Sequence, residues 1–266
     1  MRRRLRRPGL RAALDAVVIP TFGAPPGDTG SEAIRFVRAP GALPRGRRVY
    51  AIGDIHGQRD KLAALHGLIA VDLAARPVRS AVVVHLGDYI DQGPDSAGVV
   101  AFLAADQGVP VVNLLGDHER MLLDALSGDR AAATDWLWCG GKQALISWGL
   151  DPGLPREDWE TALPPDHLAW LRGLTLTHRE GDYLFVHAGI RPGVPLGEQI
   201  PEDLVSIRQP FLTSGRDHGA IVVHGHSCGP SVRTDNNRIG LDTGAGIGGK
   251  LTCAVLEDEV IGLIAV

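Results

Sequence analysis

Apolar runs of strand length alternate along the chain with polar stretches punctuated by glycine. Val49-Tyr50-Ala51-Ile52 reads as a buried strand that stops at Gly53. Asp54, His56 and Gly57 follow at once, and a helical pattern runs from about Lys61 to Ala75. Ala81 to Leu86 is a second, valine-rich strand. It ends in Gly87-Asp88-Tyr89-Ile90-Asp91-Gln92-Gly93, after which Pro94 and Ser96 open a helix to about Ala105. Val109 to Leu115 is a third strand, ending in Gly116-Asp117-His118-Glu119 ahead of a helix from Arg120 to Leu126. Strand–loop–helix units in succession predict an α/β fold, with a largely parallel sheet and helices on its faces.

The pattern changes between Ser127 and Gly181. Helices are expected around 131–148 and 157–172, and all five tryptophans fall in this segment. It reads as a helical cap, about 127–181, inserted between sheet strands and walling one side of a site. Core packing is the default role for its tryptophans, and stacking on a nucleobase is the rarer one. Strands resume at Tyr183 to Val186 and Ala220 to Ser227. Leu251 to Leu256 and Val260 to Val266 close the chain around the acidic turn Glu257-Asp258-Glu259. Residues 20–47 are rich in proline and glycine and read as linker, with a short strand at Ala33 to Val37. The expected organisation is therefore a basic, Pro/Gly-rich tail and linker over 1–46 and a folded domain over 47–266.

Composition narrows the class. A chain of 266 residues with 44% hydrophobic positions can bury a substantial core, and a net charge of −4 gives no global nucleic-acid signal. The Arg-rich start, Met1 to Arg11, lacks the apolar segment of a secretory signal, since Pro8 and Gly9 intervene. A short basic arm could touch RNA, an anionic membrane or an acidic partner, although a plain tail is the commoner use of such a segment. Cys139, Cys228 and Cys253 are odd in number and widely spaced, which predicts free thiols in a reducing compartment. No apolar run approaches the roughly 20 residues of a membrane span. A cytoplasmic protein without a membrane span is expected.

The chemistry sits at the strand ends. A lone aspartate before a helix is usually an N-cap, and a lone histidine after a strand is usually a satisfied loop residue. Here five strand ends finish in aspartate or histidine beside glycine: G-D-I-H-G, G-D-Y-I-D-Q-G, G-D-H-E, V-H-A-G and V-H-G-H. In an open α/β sheet such loops gather on one rim, where ligands bind. Carboxylates together with imidazoles suit a borderline transition metal such as Mn, Fe or Zn. Two such ions can clamp a phosphate and lower the pKa of a bound water, and a nearby imidazolium can protonate a leaving oxygen.

This ordered set resembles the phosphoprotein-phosphatase (serine/threonine protein phosphatase) branch of the calcineurin-like metallophosphoesterases, whose usual pattern is GDxHG, GDxxDRG, GNHE, an HAG-like segment and GH. The resemblance runs from about Val49 to Leu256 and includes R-I-G-L-D-T-G and G-K-L-T near the end. It implies a metallophosphoesterase β-sandwich flanked by helices and a site for two divalent ions, with Mn foremost and Fe or Zn as alternatives. Carried over by position, Asp54 and His56 hold one metal, Asp88 bridges both, and Asp117, His187 and His226 hold the second. His118, oriented by Asp91, becomes the general acid, and Arg208 a looser match to a phosphate-binding arginine. His224 and Asp242 become outer groups behind the ligands. Two positions depart from the pattern. Gln92 stands where the family has arginine, so a phosphate there meets a neutral amide. Asp117 replaces asparagine, which keeps a ligand but adds a negative charge. The implied activity is metal-dependent hydrolysis of phosphate monoesters, on the model of a serine/threonine-type protein phosphatase. The alternatives are a diadenosine-tetraphosphate or other small phosphoester hydrolase, or a catalytically weak phosphate-binding module. The substrate is a phosphoprotein or a small phosphoester.

Overall fold

The computed structural model describes residues 34–266, so the basic arm at Met1 to Arg11 lies outside the described residues. Two mixed sheets pack face to face. The first contains β1 (Val37–Arg38), β2 (Arg47–Ile52), β3 (Ser80–His85), β4 (Val111–Asn113), β10 (Thr252–Glu257) and β11 (Val260–Ala265), in the order β1-β11-β10-β2-β3-β4. The second contains β5 (Thr177–Glu180), β6 (Tyr183–Val186), β7 (Ile221–His224), β8 (Arg233–Asp235) and β9 (Arg238–Gly240), in the order β5-β6-β7-β9-β8.

Period-two alternation decides which side of each strand faces which layer. On β2, Val49 and Ala51 point between the sheets, while Tyr50 and Ile52 point toward helices α1 (Arg59–Ala75) and α2 (Ser96–Ala104). On β3, Val82 and Val84 face Phe185, Val223 and Ile239 of the second sheet, and Val83 faces the helices. The outer face of the second sheet, with Leu184, Val186 and Val222, is covered by α8 (Pro201–Ser206) and by Phe211. Both faces of each central strand are thus buried, which is why these strands read as unbroken apolar runs.

The largely parallel sheet expected from the strand–helix alternation is a mixed one. β2, β3 and β4 are parallel, but β10 runs antiparallel against β2, with Ala254 opposite Ala51. Alternation reports only consecutive units, whereas the free edge of β2 is filled by the C-terminal hairpin. The polar segment 37–46 also meets the sheets. β1 pairs with β11, and the Tyr183 hydroxyl donates to the Gly41 carbonyl at 2.7 Å.

The insertion after β4 begins with α3 (Asp117–Leu126), which starts three residues earlier than its apolar pattern indicates. It continues as α4 (Arg130–Trp136), a π-turn at Leu137–Gly141, α5 (Lys142–Ser147), α6 (Arg156–Ala162) and α7 (Pro165–Arg172). The residues from Thr177 to Glu180, expected within the cap, form the edge strand β5 instead. Trp136 and Trp159 are buried against each other with ring centres 5.1 Å apart, while Trp138 is 82% exposed. Gly140, with φ of 118°, passes so close to the β3–α2 loop that a Cβ there would lie 2.6 Å from the Gln92 nitrogen. The cap therefore braces the loop that carries Asp91 and Gln92. No helix among the described residues is long and apolar enough to cross a membrane. Cys139, Cys228 and Cys253 are free thiols.

His66 on α1 and His85 on β3 stack, with their Nε2 atoms 3.0 Å apart. His85 Nδ1 lies 2.8 Å from Asn113 Oδ1, an acceptor, so His85 donates there and accepts from His66 Nε2–H. Burial lowers His66 to about 4, and burial together with the His66 charge lowers His85 to about 3. An unfolded histidine takes its proton near pH 6.5, before the folded pair does. The pair's contribution to stability is therefore complete above about pH 6.5 and is lost as pH falls toward about 4. Chemical denaturation of the wild type should show stability declining across that window. His66→Leu should flatten the decline, and equal slopes in the two proteins would refute the linkage.

Candidate metal centre

Loops at the C-terminal ends of β2, β3, β4, β7 and β9 converge on a cavity of about 210 Å³. Asp54 and His56 enter it from the β2–α1 loop, and Asp88 and Gln92 from the β3–α2 loop. Asp117 and His118 come from the first turn of α3, His226 from behind β7, and Asp242 from behind β9. Arg208 reaches in from the segment after α8. The ion pairs of the surrounding segments use Arg191, Arg233 and Arg238, and among the described residues Arg208 belongs to none of them. His187 is fully buried behind the cavity, with Nε2 at 3.1 Å from Asp117 Oδ1 and 3.4 Å from Asp88 Oδ1.

Two donor sets emerge. Asp88, Asp117, His187 and His226 offer ligand atoms all within 4.8 Å of one another, and so do His56, Asp88 and His118. Asp88 belongs to both. Asp54 falls in neither set. Its Oδ2 accepts the His226 N–H at 2.8 Å, and its Oδ1 is buried without a hydrogen-bond partner. His226 presents Nδ1 to Asp117 Oδ1 at 3.2 Å, while its Nε2 is likewise buried and unpartnered. Orphaned buried acceptors beside converging carboxylates fit divalent cations, because an unpaired buried charge is costly. Tautomers are set from behind. His187 Nδ1 lies 2.8 Å from the Leu86 carbonyl and His56 Nδ1 lies 3.0 Å from the Ile90 carbonyl, so each donates there and turns Nε2 into the site.

Among the protein groups alone, the electrostatics follow from crowding. Burial raises Asp54 well above the usual carboxylate range, with Asp242 and Asp88 adding to the rise. Burial also raises Asp117, but hydrogen bonds from His187 and His226 outweigh it and hold that carboxyl well below the usual range. His118 behaves in the opposite sense to an ordinary buried histidine. Burial lowers its pKa, but Asp88, the 2.7 Å hydrogen bond to Asp91 Oδ2 and Asp117 together raise it to about 10. Asp91, fully buried beneath it, is raised to about 6 by burial against the pull of His118. His118 Nε2 is left facing the cavity, 3.5 Å from the Gln92 side-chain nitrogen. His224, expected behind the ligands, lines a neighbouring cavity instead, and its Nδ1 meets the Gly225 carbonyl at 3.0 Å. Asp242 Oδ1 accepts from the Gly244 N–H at 3.0 Å.

Backbone strain is concentrated here. Among the described residues, six non-glycine positions have positive φ, and five of them belong to these loops: His56, Asp88, Asp91, Gln92 and His226. Part of what holds the β3–α2 loop is a residue to which the motif reading assigns no role. Glu119, wholly buried, accepts the N–H groups of Asp88 at 2.9 Å, Tyr89 at 2.7 Å, Ile90 at 3.1 Å and Gly116 at 3.2 Å. The signal was present as the last letter of G-D-H-E, but nothing in the sequence says which amides it collects. Gly116 is needed for the approach, because a Cβ there would lie 2.2 Å from Asp88 Oδ1.

Glu119→Gln sets an amide N–H against backbone N–H donors on one side, so at least one buried donor loses its acceptor, at a cost of about 1–3 kcal/mol. Calorimetry should show a lower unfolding temperature and an Mn²⁺ affinity reduced roughly 10–100-fold, the usual range for changes behind metal ligands. Unchanged values for both would show that the loop holds itself.

Comparison with known proteins agrees with the geometry. The family model for calcineurin-like phosphoesterase matches residues 47–243. The symmetrical bis(5'-nucleosyl)-tetraphosphatase of Methylococcus capsulatus is 33% identical over 144 residues, covering 54% of this chain and 44% of that protein. The chain thus spans under half the length of that relative. Serine/threonine-protein phosphatase 1 of Salmonella typhimurium is 28% identical, with 79% of this chain and 93% of that protein covered. Among solved structures, a protein provisionally described as a diadenosine tetraphosphatase superposes with a TM-score of 0.61 at 24% identity, covering 82% of this chain and 93% of that one. The matched span carries Asp54 and every residue of the two donor sets, and on that ground the chain belongs to the calcineurin-like phosphoesterase family.

Proposed function

We propose that the chain hydrolyses phosphoanhydrides of the dinucleoside-polyphosphate class, using two divalent ions, with Mn²⁺ the first choice. Asp54, His56 and Asp88 would hold one ion, and Asp88, Asp117, His187 and His226 the other. Bound there, the ions would supply Lewis-acid polarisation of the phosphoryl group and an activated water. The observation that carries hydrolysis is the His118–Asp91 pair. Asp91 holds the imidazole by Nδ1, and Asp88 and Asp91 together favour its charged form, so Nε2–H points at the cavity as a proton donor to a leaving oxygen. In hydrolysis a water oxygen bonds to phosphorus and the bridging P–O bond breaks. The leaving group takes the electron pair, with His118 as its proton source. Arg208 is the cation available to phosphate oxygens, and Gln92 contributes only a neutral amide.

The polyphosphate class is supported by the symmetrical tetraphosphatase relatives and by Gln92. An anhydride expels a phosphate, a far better leaving group than an alkoxide, and so demands less positive charge from the protein. The second reading is a serine/threonine-type protein phosphatase, favoured by an alignment that covers 93% of the Salmonella phosphatase. Side-by-side assays of the Mn²⁺-loaded enzyme on diadenosine tetraphosphate and on a phosphoserine peptide should favour the former in kcat/KM. A reversed preference would establish the second reading, and no turnover of either would leave a binding module.

His118→Asn should lower turnover of an alkyl phosphate by at least about tenfold, while costing less on aryl phosphates and anhydrides, whose leaving groups need less protonation. Steady-state kinetics on the three classes checks this. Equal losses on all of them would remove the general-acid role.

A further inference from the structure

The cavity over the metal-type donors, about 210 Å³, has room for little beyond a phosphoryl group and its ions. Beside it lies a second cavity of about 490 Å³. Cys228 and Asp242 line both, so the two adjoin along that wall. The larger one is backed by β7 and β9 at His224, Arg238 and Gly240, and roofed by the segment 227–234. Its volume falls in the range of small-molecule sites, roughly 300–1,000 Å³.

The lining has a particular chemistry. Leu212, Pro230 and Val232 give it apolar walls. Ser227 Oγ is buried there with no hydrogen-bond partner. His224 spends Nδ1 on the Gly225 carbonyl, which leaves its Nε2 as an acceptor beside Gly240. A buried hydroxyl without a partner is unfavourable and marks a place where a ligand's polar edge would be satisfied. Arg238, 4% exposed, holds a buried positive charge at the back, and Arg233 adds a second at the rim, both paired to the single carboxylate of Asp235. At the junction, Arg208 lies within electrostatic reach of Cys228.

Apolar walls, a free hydroxyl and a free imidazole nitrogen suit a flat heterocycle with hydrogen-bonding edges. An extended peptide would need an open groove or sheet edge rather than a compact concavity. Arg208, which belongs to no ion pair among the described residues, is the cation that phosphates entering from the metal side would meet. We propose that this second cavity seats the nucleoside of a leaving nucleoside diphosphate, its phosphates passing Cys228 and Arg208 to the metal pocket. The proposal rests on the nucleoside-polyphosphate reading given above, but it can fail separately.

The probe is ADP, used as an inhibitor of p-nitrophenyl phosphate hydrolysis by the Mn²⁺-loaded protein, with inorganic diphosphate as the reference. Only the phosphoryl group of p-nitrophenyl phosphate must enter the smaller cavity. ADP should inhibit at least about tenfold more tightly than diphosphate. Val232→Trp, which fills the second cavity, should erase that advantage and leave kcat and KM for p-nitrophenyl phosphate unchanged. Ser231→Trp, at an exposed lining position, makes the same test if Val232→Trp does not fold, and Ser227→Ala should weaken ADP alone. ADP binding no tighter than diphosphate, or an advantage that survives the filling variant, overturns the cavity assignment. Direct chromatography of diadenosine tetraphosphate digests tests the underlying reading. Absent cleavage with the ADP advantage intact would overturn that reading and leave nucleoside binding in the cavity supported.

Discussion

One buried carboxylate holds the candidate site in shape. Glu119 takes the amide protons of Asp88, Tyr89, Ile90 and Gly116, and so ties the loop after β3 to the first turn of α3. Without that acceptor, several buried N–H groups would lack partners, each at a cost of about 1–3 kcal/mol. The same bonds help to hold Asp88 in a left-handed conformation, which aspartate adopts more readily than most residues but still at a cost. Asp88 is the member shared by both donor sets, so the position of every other donor is defined relative to it. The cap contributes from the other side, where Gly140 presses on the Gln92 backbone and Trp136 fills the space beneath.

A second constraint follows from charge. Asp54, Asp88, Asp117 and Asp242 line one small cavity. Within the protein, only histidines and the exposed Arg208 oppose them there. Burial lifts Asp54 while the histidines pull Asp117 down, which leaves neighbouring carboxyls displaced in opposite directions. Such a divided arrangement is what two polyvalent cations would even out, each being neutralised by carboxylates already in place. It also explains why the His118 imidazole is held charged rather than neutral.

Much of this was legible in the sequence, and what was not has specific physical causes. The strand ends were legible because glycine, aspartate and histidine interrupt otherwise apolar runs. The family was legible because those interruptions recur in a fixed order, and the model match over residues 47–243 agrees with that reading. The antiparallel pairing of β10 with β2 was not, since no local pattern records which distant strand fills a free edge. β5 was hidden because it is an edge strand of four polar residues, Thr177 to Glu180, with little apolar signal. Glu119 and the His66–His85 pair were hidden for a common reason. Each acts through partners far along the chain, and the residue types alone fit an ordinary helix surface or strand. His224 went the other way: its spacing next to His226 suggested support for the ligands, but β7 turns it toward the neighbouring cavity.

The two departures from the family pattern gain coherence when they are set against the shape of the site. Gln92 removes a cation on the side of the cavity that the cap braces, and Asp117 adds an anion next to His187 and His226. Both changes weaken the hold on a simple phosphate dianion. The cation left in the small cavity is Arg208, while Arg233 and Arg238 of the second cavity are already paired with Asp235. A small monoester would draw on Arg208 and the ions alone. On the proposed reading, a longer substrate also fills the second cavity, and its anhydride bond needs less electrophilic help to break. Contacts to the leaving half would then favour extended substrates over short ones, because binding energy gained at a distance is usable only by a molecule long enough to collect it.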